Sequence, residues 1–339
     1  MKKFVVCVFA LVLVGLAAWA GGSGEAAGGT SGSKVIDMRF ATSQPPTGGY
    51  LGDSPQKFGE YMAEASKGVI KLTVHHSGSL SANERELFEM AQAGTVDFAT
   101  GGTPYVIGWS PSLKVMDLPY LFEDVEHIRK VTQGPVAKII NEECNQNGVE
   151  ILGYVLCGFR SIFTAKKQVA SLEDLKGMKI RCQESPVYIE MFKALGMLPT
   201  PMPASELYTS LQTGVVDAGE NDPASVVSWG WVDVIKCYLL DKHSVTCNLV
   251  AMNKAKLDAL PADLQKAVHD SAKKMIDYQF AYIEGAWADS LNKIKAKGVA
   301  VVELPSLKPF QDKVGFLADQ YDKELGKNLV KMVRDAAKK

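Results

Sequence analysis

The sequence predicts an α/β protein of two units, braced by one long helix. Three observations carry this reading. Short apolar runs alternate with amphipathic stretches of about 10 to 14 residues, the pattern of βαβ units in a mainly parallel sheet. The alternation occurs twice, from near residue 34 and again from near residue 157. A third stretch, 261–297, keeps helical periodicity over a length that no small domain needs.

In the first unit, Val35 to Thr42 alternates as a strand does. Asp53 to Ser66 brings Phe58, Tyr61, Met62 and Ala65 onto one helical face, and Val69 to His75 reads as a second strand. Asn83 to Ala93 reads as a helix with Asn83 as N-cap, Glu86 three residues on as in a capping box, and Gly94 after its end. Val96 to Thr100 is a short strand.

In the second unit, Val149 to Cys157 leads in as an apolar strand. Met178 to Arg181 (strand), Pro186 to Leu195 (helix) and Leu198 to Pro201 (strand) follow. Ser205 to Thr213 (helix) and Val215 to Ala218 (strand) complete the repeat of the pattern. Ile235 to Leu240 and Val245 to Met252 read as longer strands. Within 261–297 the apolar residues recur from Leu264 to Ile294, Pro261 suits the first turn and Gly298 the stop. One helix of this length would run roughly 55 Å and could brace two domains. A break near Gly285 would give two helices instead.

Composition narrows the function class. The 339 residues are 47% hydrophobic and 22% charged, with a net charge of −1. That is enough chain for about two domains and no basic excess for nucleic acid. Mean hydropathy near zero argues against a polytopic membrane protein. Lys2 and Lys3, the apolar run Phe4 to Ala20 and the small-residue site Ala18-Trp19-Ala20 have the form of a secretory signal peptide, residues 1–20. An uncleaved anchor is the alternative. Residues 21–33 are Gly/Ser/Ala-rich and read as a flexible tether. The expected location is therefore periplasmic.

Beyond Cys7, five cysteines remain, an odd number with no CxxC spacing. Buried apolar roles suit them, although Cys237 and Cys247 flank an expected strand pair and could bridge. The chain carries no glycine-rich phosphate loop, no HExxH and no GxSxG. Neighbours in a strand point to opposite faces, so His75 and His76 do not place two rings on one metal. No catalytic residue, metal or cofactor is assigned.

Three segments put polar groups at expected strand ends, where ligands of open α/β sheets bind. They are Gly158-Phe159-Arg160, Leu175 to Gln183 (with Lys179 and Arg181 on one face) and Gly214 to Pro223 (with Glu220, Asn221 and Asp222). An arginine fork matches a carboxylate, and an asparagine amide both donates and accepts. Two arginines and an amide in one cleft would hold a small organic anion. On spacing alone each arginine is equally a surface ion pair, and Asn221 equally a helix cap.

The chain resembles the substrate-binding proteins of tripartite ATP-independent periplasmic (TRAP) transporters, of the DctP-like type. The resemblance rests on Gly94-Thr95-Val96-Asp97, Leu118-Pro119-Tyr120-Leu121-Phe122 with Glu126-His127, and Asp174 to Arg181. It extends through Leu211 to Asp217 with Glu220-Asn221, and Leu260 to Gln265. It implies a two-lobe periplasmic-binding-protein clamshell with discontinuous lobes and a long bracing helix. The implied lobe I is 34–156 plus 248–280 and lobe II is 157–247 plus 298–325. The helix 261–297 spans both, and 326–339 forms a C-terminal helix. It further implies that Arg181 pairs with the ligand carboxylate, Arg160 gives a second contact and Asn221 fixes the same group.

Candidates for selectivity are Gln44, Glu84, Tyr105, Gln183 and Glu220, with Trp229 and Trp231 as stacking or core residues. Two departures, Cys182 and Asp222, stand where the family usually has a non-thiol residue and a proline. The expected ligand is a small carboxylate, first a sugar acid and otherwise a dicarboxylate or other organic acid. The expected partners are the small and large TRAP membrane subunits, and the expected state is a monomer. The same clamshell could instead serve a membrane receptor as a ligand sensor. An exported enzyme using Glu84 or Glu220 as an acid/base carboxylate is a third reading.

Overall fold

The computed structural model describes residues 35–46 and 50–338. The export signal and tether read from the sequence lie outside these residues. The first unit forms β1 (Ile36–Thr42), α1 (Tyr50–Ala65), β2 (Ile70–His75), α2 (Glu84–Gln92) and β3 (Phe98–Gly102). Asn83 caps α2 as expected, accepting the Arg85 N–H at 2.9 Å. The expected capping box does not close. Ser81 Oγ takes the Asn83 N–H instead and donates its own hydrogen to Glu86 at 2.6 Å.

Two 3₁₀ turns, Thr103–Val106 and Pro111–Asp117, lead to α3 (Val125–Thr132) and α4 (Pro135–Gln146). The chain continues through β4 (Val149–Thr164), β5 (Lys179–Cys182), α5 (Pro186–Ala194) and β6 (Leu198–Pro201). Next come α6 (Leu207–Thr213), β7 (Ala218–Asn221), α7 (Pro223–Ser228), β8 (Cys237–Asn253) and α8 (Lys254–Asp258). The chain then forms α9 (Ala262–Ala296), β9 (Ala300–Glu303), α10 (Lys308–Val314), α11 (Phe316–Leu325) and α12 (Leu329–Ala337).

One sheet runs β2-β1-β3-β8-β4-β7-β5-β6, with β9 beside β8. The expectation of a mainly parallel sheet holds at its two ends and where β9 joins β8. β1 pairs parallel with β2 and β3, and β5 with β6 and β7. The centre is antiparallel: β8 pairs with β3 and, over its whole length, with β4. Both central strands are longer than the sequence suggested. The stretches expected as Ile235 to Leu240 and Val245 to Met252 are one strand, β8, which carries Lys242 at φ 45. Cys237 and Cys247 therefore sit on a single extended strand, at rungs opposite Thr164 and Leu156, and both are free thiols. The bridge considered between them is excluded, because an extended strand advances about 3.3 Å per residue.

Residues 156 and 247 share a rung of the β4–β8 ladder, as do 155 and 248. The chain thus crosses between the two ends of the sheet in mid-strand, not in a loop. Register shifts at Ile151/Gly153, Leu156/Gly158 and Arg160/Ile162 kink this ladder. At Gly158 (φ +134) a Cβ would stand 2.5 Å from Trp287 Nε1, so only glycine lets α9 lie this close.

α9 is one unbroken helix of 35 residues, about 52 Å long. Gly285 does not interrupt it, and Pro261 stands one residue before it as N-cap rather than in its first turn. It packs on α1, on β4, on α7 and on β9. The Gln279 amide bonds both the N–H and the C=O of Leu156, and Trp287 Nε1 donates to Cys157 O at 3.1 Å. The helix is thus pinned to β4 at the crossing. One apolar core runs beneath most of the sheet, and a second gathers Phe163, Trp231, Tyr238 and Ile294.

Candidate functional site

The carboxyl ends of β1 and β3 face those of β5 and β7, and the polar candidates collect between them. Arg160, on β4, is 1% exposed and spends all five N–H donors on the protein. Nε and Nη2 grip the Glu220 carboxylate, with Nη2 to Oε1 at 2.7 Å. Nη2 also donates to the Glu220 carbonyl at 2.8 Å. Nη1 donates to Asn221 Oδ1 at 2.8 Å and to Thr246 Oγ1 at 2.7 Å. A direct contact from Arg160 to a ligand would require one of these bonds to be given up.

Glu220 is shared. His243 Nε2 lies 3.3 Å from its Oε2, and His243 Nδ1 lies 2.8 Å from Asp241 Oδ2. All four side chains are buried. For Glu220 and His243 burial disfavours the charge, and the neighbours outweigh it. Arg160 and His243 bring the Glu220 carboxyl down to about 2, and Asp241 and Glu220 push His243 up to about 9. Two cations balance two anions, so the set is neutral as a whole. The sequence reading missed Asp241 and His243. Their signal is an acid and a base at i and i+2, hence on one face, inside an apolar strand.

Arg181 differs from Arg160. It is also 1% exposed, and its Nε donates to Met202 O at 2.8 Å. Its Nη2 is buried and has no partner among the described residues. Gln183, two residues on, is 7% exposed, and its Oε1 is likewise buried without a partner. Cys182 lies between them on the opposite face, in the core, with its thiol pushed up to about 12 by burial. This departure therefore stays out of the cleft.

Asn221 turns its amide oxygen to Arg160 and to the Asp222 N–H. It is not the cap of α7. Asp222 is, accepting the N–H groups of Ala224 and Ser225 at 3.0 Å with Pro223 at the first helical position. The second departure is thus a helix cap. Burial pushes the Asp222 carboxyl up against these bonds.

From the β1–β3 side, Glu84 opens α2. Its carboxylate accepts Ser43 Oγ at 2.6 Å and the Gly102 N–H at 2.8 Å. Burial raises its pKa, opposed by those two bonds and by Arg181. Gly102 also meets the opposite side, where a Cβ on it would come 2.9 Å from Gln183 Nε2. Tyr105 is buried and its carbonyl accepts Arg85 Nη1 at 3.3 Å. Gln44 lines a small internal space with Thr100, Asn248 and Ser54.

Two cross-cleft ties complete the site. Arg85 meets Glu184 at 3.4 Å. Asp117 accepts Thr103 Oγ1 at 2.7 Å and Ser185 Oγ at 2.8 Å, and burial pushes its carboxyl up to about 6. At the mouth, a cavity of about 190 Å³ lies between Ser43, Pro45 and Ser77 on one side and Ser205, Ser228 and Trp229 on the other. Trp231, by contrast, is fully buried and stacks on Phe163 at 5.8 Å, so it belongs to the core.

A larger cavity, about 270 Å³, lies between α3, α4 and α12. Its only charged linings are Lys130 and Asp335, and Asp335 already pairs with Lys331 and Lys338. The cleft is the candidate site, because buried polar atoms there lack partners. Among the described residues no group of three or more His, Cys, Asp or Glu could hold a metal ion.

The model of bacterial extracellular solute-binding protein family 7 (DctP) matches residues 40–324. The chain belongs to this family. It is 31% identical over 330 residues to the 2,3-diketo-L-gulonate-binding periplasmic protein YiaO of Escherichia coli, covering 96% of this chain and 97% of that protein. The crystal structure of the sugar acid binding protein DctPAm from Advenella mimigardefordensis, in complex with galactonate, superposes with a TM-score of 0.86 at 26% identity. It covers 90% of this chain and 98% of that one. A TRAP periplasmic solute-binding protein from Bradyrhizobium, in complex with α/β-D-galacturonate, gives a TM-score of 0.83 at 31% identity and covers 88% and 100%.

The chain therefore has the two-lobe fold of TRAP periplasmic solute-binding proteins, with α9 bracing both lobes. It is a transport binding protein and not an enzyme. Family members are periplasmic, take small acid ligands and work with membrane subunits.

Proposed function

We propose that this family member captures a sugar acid between its lobes, with the ligand carboxylate on Arg181, and delivers it to TRAP membrane subunits. The observation that carries the reading is the contrast between the two arginines. Arg160 is neutralised by Glu220, whereas Arg181 keeps a buried donor without a partner. A buried cation of this kind is stabilised by an anion that brings its own acceptors. Asn221 is held by Arg160, and the Glu84 carboxylate, which feels the Arg181 charge, offers acceptors for hydroxyl groups. The galactonate, galacturonate and diketogulonate ligands of the similar proteins support a sugar acid over a plain dicarboxylate.

In this reading lobe I is 34–156 plus 248–280 and lobe II is 157–247 plus 298–325, joined through β4, β8 and α9. Residues 1–20 act as an export signal cleaved after Ala20, and the protein works as a monomer. Selectivity comes from Gln44, Glu84, Tyr105 and Gln183.

The test is a thermal-shift screen of purified protein against hexonates, hexuronates, keto-acids and C4-dicarboxylates. A ligand at 100 times its dissociation constant should stabilise the fold by about 2.7 kcal/mol. Stabilisation by a sugar acid supports the reading. No stabilisation by any carboxylate, or stabilisation by a dicarboxylate alone, overturns it.

A further inference from the structure

Arg181 and Gln183 leave complementary atoms without partners. Among the described residues Arg181 Nη2 is a donor without a partner and Gln183 Oε1 an acceptor without one. Both side chains are more than nine-tenths buried. They stand at i and i+2 at the carboxyl end of β5, so they share one face. They do not bond each other, although they are opposite in hydrogen-bonding sense. The amide points its nitrogen towards the other lobe, where a Cβ built on Gly102 would come 2.9 Å from Nε2. The oxygen end is the one left over. An acceptor buried in this way is stabilised only by a hydrogen that arrives with the ligand.

A carboxylate supplies acceptors alone. It suits Arg181 and leaves Gln183 Oε1 unsatisfied. The atom next to the carboxylate decides whether the second bond forms. A hydroxyl on the adjacent carbon donates to Oε1 while the carboxylate receives from Nη2. A carbonyl there sets two acceptors against each other, and so does the ring oxygen of a pyranose uronate. A methylene leaves Oε1 buried and unpaired.

We infer that the chain selects 2-hydroxy acids, with Arg181 holding the carboxylate and Gln183 reading the adjacent hydroxyl. This rests on the sugar-acid reading above and narrows it to open-chain aldonates over 2-keto-acids and pyranose uronates. Galactonate, the ligand named for one similar structure, is of the selected class; galacturonate and diketogulonate, named for others, are not.

The test is calorimetric titration of the whole purified protein with galactonate, its 2-deoxy and 2-oxo analogues, and galacturonate. Galactonate should bind roughly 10-fold or more tightly than the 2-deoxy acid, the range expected for one hydrogen bond to a buried acceptor. The 2-oxo acid and the uronate should bind more weakly still. In Gln183→Met, which keeps the side-chain length but removes the acceptor, the preference for galactonate over the 2-deoxy acid should fall towards one. Equal binding of the first two acids by the wild type, or a preference that survives Gln183→Met, overturns the inference and leaves the carboxylate reading standing. If the wild type binds none of the four, the sugar-acid reading fails and this inference fails with it. Should Gln183→Met not fold, the wild-type ranking decides alone.

Discussion

Ser185 donates a hydrogen bond to Asp117 across the cleft at 2.8 Å, and Thr103 donates to the same carboxyl from the other side. Ser185 precedes α5 and follows the segment that carries Arg181 and Gln183. Thr103 follows β3, whose last residue, Gly102, holds Glu84. One buried acid therefore ties the two halves of the site together.

That acid gives a first prediction. Burial raises Asp117 to about 6 from an ordinary 3.8. For a raised carboxyl the stabilisation is fully present below the unfolded value and is lost as pH rises through the folded one. Between about pH 4 and 6 the wild type should therefore lose stability relative to Asp117→Asn as pH rises. Melting temperatures of both proteins at fixed ionic strength check this, and parallel profiles would contradict it.

His243 has the raised value of a base with anionic partners, about 9 against an ordinary 6.5. Its contribution is complete below the unfolded value and disappears as pH climbs through the folded one. His243→Gln should therefore destabilise the protein near pH 6 and progressively less towards pH 10. Denaturant melts across that range would read the convergence of the two curves.

The two arginines should respond oppositely to removal. Arg181→Ala should weaken binding of the cognate acid by roughly 30-fold to several thousand-fold, the loss expected when a desolvated carboxylate is left unpaired. Arg160→Met should instead cost about 3–5 kcal/mol of stability, because it strands the buried Glu220 carboxylate. The double change Arg160→Met with Glu220→Leu should recover part of that cost. Stability by denaturant and affinity by calorimetry separate the two roles. Equal affinity loss with no stability loss at Arg160 would put it in direct contact with ligand.

At the crossing, Gly158→Ala would place a methyl 2.5 Å from the Trp287 ring nitrogen, in a backbone conformation that alanine resists. The expected cost is about 1–3 kcal/mol, seen as a lowered urea midpoint. Gly285→Ala, in open space on the same helix, should be neutral or stabilising by a few tenths of a kcal/mol.

Much of this was legible in the sequence because period and punctuation act locally. β6 begins and ends where the pattern did, and α9 was visible from its repeating apolar stripe and the absence of interior proline. The full extent of β4 and β8 was not. Bulges break their alternation, and Gly158 reads as a strand end when it is a kink within a strand. Arg181 was visible as a residue type at a strand end. Its distinction from Arg160 was not, because that depends on register. Arg160 lies opposite Ser244 while Glu220 lies opposite Ile162, and only the packed sheet brings the two ions together.

The order in which the central strands appear has a consequence for how the chain matures. β3 finds its second neighbour only in the last residues of β8, about 150 positions later, and β4 waits through some 90 residues for the same strand. A polypeptide that has emerged only as far as residue 236 holds the two outer parts of the sheet and nothing to join them. Closure of such distant pairings is slow and cooperative, so folding must come late, once the chain is nearly whole. For a family whose members are periplasmic, that delay keeps the chain threadable while it crosses the membrane.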